Sequence, residues 1–306
     1  MIQRKNGNGG NTYMASMRDI KRRKESIQST GQITKAMKLV STVKLQKAKG
    51  RAENAKPYFN HMYEAVTSML AKSGSISHPY LKPGTSKQKA VIVITSNRGL
   101  AGGYNSNIIK LVTDGSGILK EDAVIYALGR KGRDALQRRG YKIKADYSEV
   151  MNEPLYADAA RLGAQVLEAF AKNEVGEIYL AYTIFKNTVT QIPKLVKLLP
   201  VDPTMGQQEK EQESKHTVDD LTLMNYEPEA EEALDVIIPK YMNSIIYGAL
   251  MEAVASENGA RMQAMDSATS NAEEMIADLS LSYNRARQGA ITQELTEIVA
   301  GASAIN

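Results

Sequence analysis

The last 67 residues, Lys240 to Asn306, contain no proline and are rich in Ala, Met, Glu, Gln and Leu, all good helix formers. As one unbroken helix this stretch would reach roughly 100 Å, about three times the width of a small domain. A compact core cannot enclose such a segment, so something must lie along it. Stepping by alternating threes and fours gives Ile237, Tyr241, Ser244, Gly248, Met251, Ala255, Asn258, Met262, Met265, Thr269, Ala272, Ile276, Leu279, Tyr283, Ala286 and Ala290. Most are apolar and many are small. A stripe at period 3.5 is a coiled-coil seam, and small seam residues let a partner helix come close.

The other end of the chain offers that partner. Met17 to about Lys56 has no proline and repeats Ile20, Ile27, Gly31, Thr34, Met37, Ser41, Leu45, Ala48, Ala52 and Ala55 at three-to-four spacing. Ile33, Ala36, Val40 and Val43 are expected to widen this stripe. Tyr58 to Lys72 continues helically and stops before Ser73-Gly74-Ser75, a breaker cluster. Antiparallel pairing satisfies both seams most simply. The C-terminal helix is the longer, so its final turns are expected to run past the end of its partner.

Between them the pattern changes. Ala90-Val-Ile-Val-Ile-Thr95 is a continuous apolar run, as in a strand buried on both faces. The Gly-rich loop Ser96-Asn-Arg-Gly-Leu-Ala-Gly-Gly103 follows, then a helix from about Asn107 to Thr113 that Asn105 or Ser106 could cap. Further strands are expected at Ala123 to Leu128, from Tyr141, and at Glu177 to Phe185, with helices at Arg130 to Arg138 and Leu155 to Lys172. Gln191 to Leu199 reads as an edge strand turning back, because Pro193 suits an edge. The alternation predicts a small α/β domain with a mostly parallel sheet. The fold class expected is therefore α/β plus a long antiparallel coiled coil, with a Rossmann-like domain inserted between the paired terminal helices. The boundaries are 1–13 as a disordered extension, 14–72 for the N-terminal helix and 88–200 for the α/β domain. An acidic, breaker-rich connection follows at 201–232, and the C-terminal helix at 233–306. Met1 to Tyr13 is polar, with no apolar signal-like run, and Met14 before Ala15-Ser16-Met17 has the look of a natural start.

The absence of cysteine removes disulfides, thiol chemistry and Cys-based zinc sites. The three histidines, His61, His78 and His216, have no metal-like spacing. No apolar run approaches the roughly 20 residues needed to span a bilayer. The net charge of +5 is unevenly placed: Arg18 to Lys56 carries 12 Lys and Arg against 3 acids. That basic face suits a solvated surface, an acidic protein partner, or nucleic acid. It has no aromatic side chain before Tyr58 for stacking on bases.

Gly99-x-x-Gly102-Gly103 follows a strand, yet it fits neither G-x-G-x-x-G nor the P-loop, since no Lys-Ser/Thr follows. It reads as a structural turn, with no catalytic set, cofactor or metal expected. The last turns are different. Arg287, Gln288, Thr292, Gln293, Glu294 and Glu297 place long polar groups on a helix that then ends in Ile298-Val-Ala-Gly-Ala-Ser-Ala-Ile305. An apolar tip of this kind suggests insertion into a protein sleeve. Rival readings remain: a coiled-coil scaffold that binds RNA through the basic helix, and a nucleotide-binding enzyme using the Gly-rich loop.

At these residues the chain resembles the γ subunits of F-type ATP synthases. Ile291, Thr292, Glu294, Glu297, Gly301, Ala302 and Ser303 fill the family's C-terminal pattern. Ile33-Thr-Lys-Ala-Met37 with Val40, Arg51 through Pro57-Tyr58, Ser96 to Gly103 and Tyr226-Glu-Pro228 also match. The resemblance covers Met14 to Asn306, and no Cys-bearing insert of the chloroplast type is present, so it implies a bacterial-type subunit. It implies a non-catalytic central rotor shaft, coupling proton-driven c-ring rotation to conformational cycling of the β-subunit catalytic sites. The partners implied are the α and β subunits, the ε subunit and the c-ring, with one copy per complex, no nucleic acid, and a peripheral place on the cytoplasmic face of the membrane. Arg287 and Gln288 match positions that hydrogen-bond acidic loops of β, with Thr292 and Glu294 beside them. Met37 and Lys38 match the meeting point with the acidic lever loop of β. Tyr226 and Glu227 match positions beside the polar loops of the c-ring.

Overall fold

The computed structural model describes residues 17–72, 78–201 and 230–305. Two compact units divide it, one made of residues up to Met37 together with Met265 onward, the other running from Lys38 to Ala264.

The second unit holds the expected sheet. Strands β1 (Lys89–Ile94), β2 (Ala123–Leu128), β3 (Lys142–Asp146), β4 (Glu177–Phe185) and β5 (Gln191–Leu199) are arranged in the order β3-β2-β1-β4-β5. All neighbours are parallel except β5, which pairs antiparallel with β4 at the edge, with Pro193 opposite Thr183. An edge position leaves the missing N–H of Pro193 harmless. Helices α2 (Tyr104–Lys110) and α3 (Arg130–Arg138) cover one face, and α4 (Tyr156–Ala171) the other. β1 shows why its sequence is apolar throughout. Val91 and Val93 join Ile108, Val112 and Leu136 on one face, while Ala90, Ile92 and Ile94 join Leu162, Val166 and Phe170 on the other.

The terminal helices reach into this second core. α1 (Met17–Lys72) supplies Val66 and Met69, and α5 (Ala230–Ile305) supplies Leu234, Ile238, Met242, Ile246 and Leu250. α5 begins before residue 233, where the sequence placed its start, and continues through Pro239; α1 likewise continues through Pro57. A proline inside a helix removes one backbone hydrogen bond and costs about 3 kcal/mol. The apolar residues buried on either side of each proline offset that cost. Asn105 does not cap α2. Gly103 occupies the cap position, and Asn105 instead binds Ser96, its Oδ1 accepting from the Ser96 N–H at 2.9 Å.

In the first unit, α1 and α5 meet along small residues. The Cβ that an alanine would add at Gly31 lies 3.4 Å from the Ala272 Cβ, and the hydroxyls of Thr34 and Thr269 are 2.8 Å apart. These two pairs define an antiparallel register: three residues forward on α1 is three back on α5. Continued to Met17, the first described residue of α1, this register points to Ala286. The burial pattern obeys it. Every seam position of α5 from Met265 to Ala286 is buried or half-buried, and every described side chain after Ala286 is exposed. Within the second unit, Leu45, Ala48 and Ala255 form their own seam cluster.

One expectation fails on α1. Ile33, Ala36, Val40 and Val43 do not widen the seam; all are exposed, Val43 by 66%. A single partner helix covers only a narrow stripe, and these residues lie on the flank. Leu39 is exposed with them.

The sheet also carries an acid-sensitive group. Glu177 accepts hydrogen bonds from Lys197 and Tyr179 and pairs with Lys89 at 2.9 Å. Burial alone would raise its carboxyl, but the hydrogen bonds of Lys197, Lys89 and Tyr179 win and hold it at about 2. A depressed carboxylate stabilises the fold fully above its unfolded value near 4.5 and loses that stabilisation as pH falls through about 2. We expect Glu177→Gln to cost about 2 kcal/mol at pH 7, discounted for partial exposure. The deficit should shrink between pH 4.5 and 2 in urea unfolding followed by circular dichroism.

Candidate functional site

A doubly wound sheet normally binds nucleotides beyond the carboxyl ends of its strands, where the strand order reverses. Here that point lies between β1 and β4. The chain fills it with its own helix. Ser256 of α5 donates to the Thr183 carbonyl at 3.1 Å. Arg261 donates to the Gly99 carbonyl at 3.3 Å and forms an ion pair with Glu257 at 2.8 Å. Ala101 and Tyr104 pack on Ala260. The Tyr104 ring is buried; desolvation, aided by the Glu257 charge and opposed by Arg261, pushes its phenol well up.

The loop is closed on its other side as well. Ser96 Oγ donates to the Arg98 carbonyl at 2.6 Å. Asn97 spans two neighbouring loops, donating to the Ser148 carbonyl at 2.7 Å and accepting from the Arg130 N–H at 3.1 Å. Gly102 has φ +53 and faces Ala264 of α5, its ideal Cβ 3.9 Å from that methyl, so a larger side chain would push the helix away. The Gly-rich loop makes the structural turn expected of its glycines, with Gly102 at φ +53, and beyond that expectation it is a clasp for a helix. Among the described residues no group of His, Cys, Asp and Glu could hold a metal.

What remains outward is made of helix surface. On α5, Arg287, Gln288, Thr292 and Glu294 are all exposed. By helical spacing they share one half of the helix with Ile291, Leu295, Ile298 and Val299, and Ile298 and Val299 are more than 60% exposed. The opposite half carries Gly289, Ala290, Ala300 and Gly301 together with Gln293, which donates to Glu297 at 2.9 Å. An apolar face rimmed by charge on an unpaired helix marks a protein interface. On α1, Met37 and Lys38 are half-buried beside the flank of Leu39, Val40 and Val43. The basic residues Lys21, Arg22, Arg23, Lys35 and Lys44 are exposed; Arg51 instead bonds Glu153 at 2.8 Å. Tyr226 and Glu227 lie outside the described residues.

Two of these features have no clear signal in the sequence. The clasp of Arg261 and Glu257 is visible only as an ordinary i, i+4 pair on a helix. The outward flank of α1 could have been found by counting that two apolar stripes cannot both face one partner.

A family model described as ATP synthase matches residues 16–305. The chain is 74% identical over 293 residues to the ATP synthase gamma chain of Lachnoclostridium phytofermentans, covering 96% of this chain and all of the relative. This chain belongs to the ATP synthase gamma chain family. A gamma chain of Acetobacterium woodii, named as sodium ion specific, is 44% identical and covers 95% of this chain and 99% of its own length. Among solved structures, a chain in the central stalk and c-ring of Tetrahymena thermophila mitochondrial ATP synthase is 27% identical. It has a TM-score of 0.56 and covers 77% of this chain and 99% of that one. A chain from the Euglena gracilis mitochondrial enzyme shares the fold, with a TM-score of 0.65 at 19% identity, covering 94% of each.

As a gamma chain, this protein is a non-catalytic, central-stalk subunit of an F-type ATP synthase, a membrane-associated complex. The clasped loop agrees with that role, because the sheet's usual ligand crevice serves to hold α5. No described helix is long and apolar enough to cross a membrane.

Proposed function

We propose that this gamma chain turns as the shaft that couples ion-driven c-ring rotation to the conformational cycle of the β subunits. The observation that carries the reading is the α5 segment beyond Ala286, bare of α1 and apolar on one side. Such a segment suits a sleeve formed by the ends of α and β subunits. Coupling then works by differential contact. One copy of the chain presents Arg287 and Gln288 to one β subunit and other faces to the rest, so the three sites are held in different states. A partner shifts a conformational equilibrium only through such unequal contacts.

Arg287 and Gln288, with Thr292 and Glu294 beside them, hydrogen-bond acidic loops of β. The planar fork of arginine fits a carboxylate better than a lysine does. Met37 and Lys38 meet the acidic lever of β through the exposed flank of α1. A weak, salt-screened attraction there allows push without a permanent bond. Tyr226 and Glu227 face the polar loops of the c-ring, with the ε subunit alongside the α/β domain, on the cytoplasmic side of the membrane. The clasped crevice and the lack of aromatic side chains on the basic stretch of α1 weigh against the nucleotide-binding and RNA-binding readings.

In the reconstituted complex, Arg287→Ala should lower ATP turnover about three- to tenfold, the scale of one lost hydrogen bond of ordinary net strength. Subunit composition should be unchanged on native gels. Unaltered turnover would remove Arg287 from the contact. A photoreactive group at residue 227 should capture subunit c; capture of β alone would move that loop elsewhere.

A further inference from the structure

A cavity of about 410 Å³ opens within the second unit, between α1, α5, β4 and the start of α4. That volume is within the range of small-molecule sites. It exists because Ala52, Ala55, Gly248 and Ala255 leave the two long helices without side chains to fill the space. Aromatic rings take over the walls. Tyr58 meets Tyr156 edge-on at 6.5 Å, and Tyr156 meets Tyr247 edge-on at 5.8 Å. Tyr58 and Tyr156 remain 50% and 40% exposed at the mouth.

Three observations give the cavity a chemical preference. First, it already hosts a cation: the Lys49 ammonium lies over the Phe185 ring, 5.8 Å from its centre. Aromatic faces attract cations, and the remaining rings are equally able to do so. Second, among the described residues the acids Glu53 and Glu252 line it together with Lys49. Third, Pro57 sits one turn after Glu53 inside α1. Proline has no N–H, so the Glu53 carbonyl lacks the donor that a helix would supply four residues on.

We propose that this cavity binds a small organic amine in its protonated form. Its apolar body lies among the small residues and Phe59, and its ammonium lies at the Glu53 and Tyr58 end. A ligand seated here would touch α1, α5 and the α/β domain together.

The test uses the purified full-length chain, with 4-phenylbutylamine as probe and 4-phenylbutanol as its neutral match, in calorimetric titrations at pH 7. The amine should bind saturably, and at least about fivefold more tightly than the alcohol, the scale of a partly exposed cation–π contact. Glu53→Gln lies on an exposed position and should weaken the amine without affecting the alcohol. Gly248→Leu should abolish binding of both. Gly248→Ala, whose added Cβ would lie at ordinary contact distance, 3.7 Å from Phe59, should retain it. Equal affinity for amine and alcohol, undiminished binding to Gly248→Leu, or no saturable binding of the amine would each overturn the proposal.

Discussion

Gly129→Ala should remove at least about 4 kcal/mol of stability, a large fraction of the total in a molecule of ordinary marginal stability. Gly129 joins β2 to α3 at φ +114, a region that side-chain-bearing residues avoid. The added Cβ would lie 2.1 Å from the Thr95 carbonyl oxygen, which is backbone and cannot swing aside. Thr95 is held from several directions: its N–H donates to the Leu128 carbonyl at 2.7 Å, and its hydroxyl accepts from the Gly132 N–H at 2.9 Å. Neither strand end can therefore yield without breaking the sheet. Gly117→Ala is the control. It too has a positive φ, +65, but nothing lies within 4 Å of the new Cβ, so it should cost only about 1 kcal/mol. Urea midpoints of the two variants measure the difference. A similar small loss in both would show that the contact at Thr95 relaxes.

Arg261→Ala should cost about 3 kcal/mol, the usual penalty for breaking a buried ion pair from one side. The side chains of Arg261 and Glu257 are only 11% and 12% exposed. Removing the guanidinium strands the Glu257 carboxylate beside the buried Tyr104 ring and leaves the Gly99 carbonyl without its donor. Lysine at 261 should recover part of the loss, since it keeps the charge but not the fork. Replacing both partners at once, Glu257→Gln with Arg261→Met, should cost less than Arg261→Ala alone, because no charge is then left buried. A double-mutant cycle in urea reads the coupling directly, and additive single effects would show that the pair contributes nothing as a pair. The same variants carry a functional readout. Loosening the loop from α5 should reduce the yield of assembled complex more than Arg287→Ala does, because it disturbs this chain itself rather than one contact with β.

Much of the architecture was legible because its signals are local. Apolar runs such as Ala90 to Ile94 mark strands, a proline marks the edge strand, and the alternating three-four stripe of α5 marks its buried side as far as Ala286, though the stripe itself runs on to Ala290, which is exposed. The contacts that close the fold were not legible, because they join residues far apart in sequence. Ser256 reaches Thr183, and Arg261 reaches Gly99, across most of the α/β domain. Nothing near Asn105 distinguishes a helix cap from a side chain that ties down Ser96. Both helices run through a proline, Pro57 and Pro239, within the spans expected of them. The polar residues of the bare α5 segment were visible as a motif. Their exposure is a tertiary fact that the motif alone does not show.

The pairing of Thr34 with Thr269 and of Gly31 with Ala272 therefore works as a gauge. It sets which residue of α5 faces each described residue of α1, so that Met17 falls opposite Ala286. A sliding error of one heptad would separate the threonine hydroxyls and move a larger residue against Gly31, so misassembled registers would be rejected at two points before a partner subunit ever tested them.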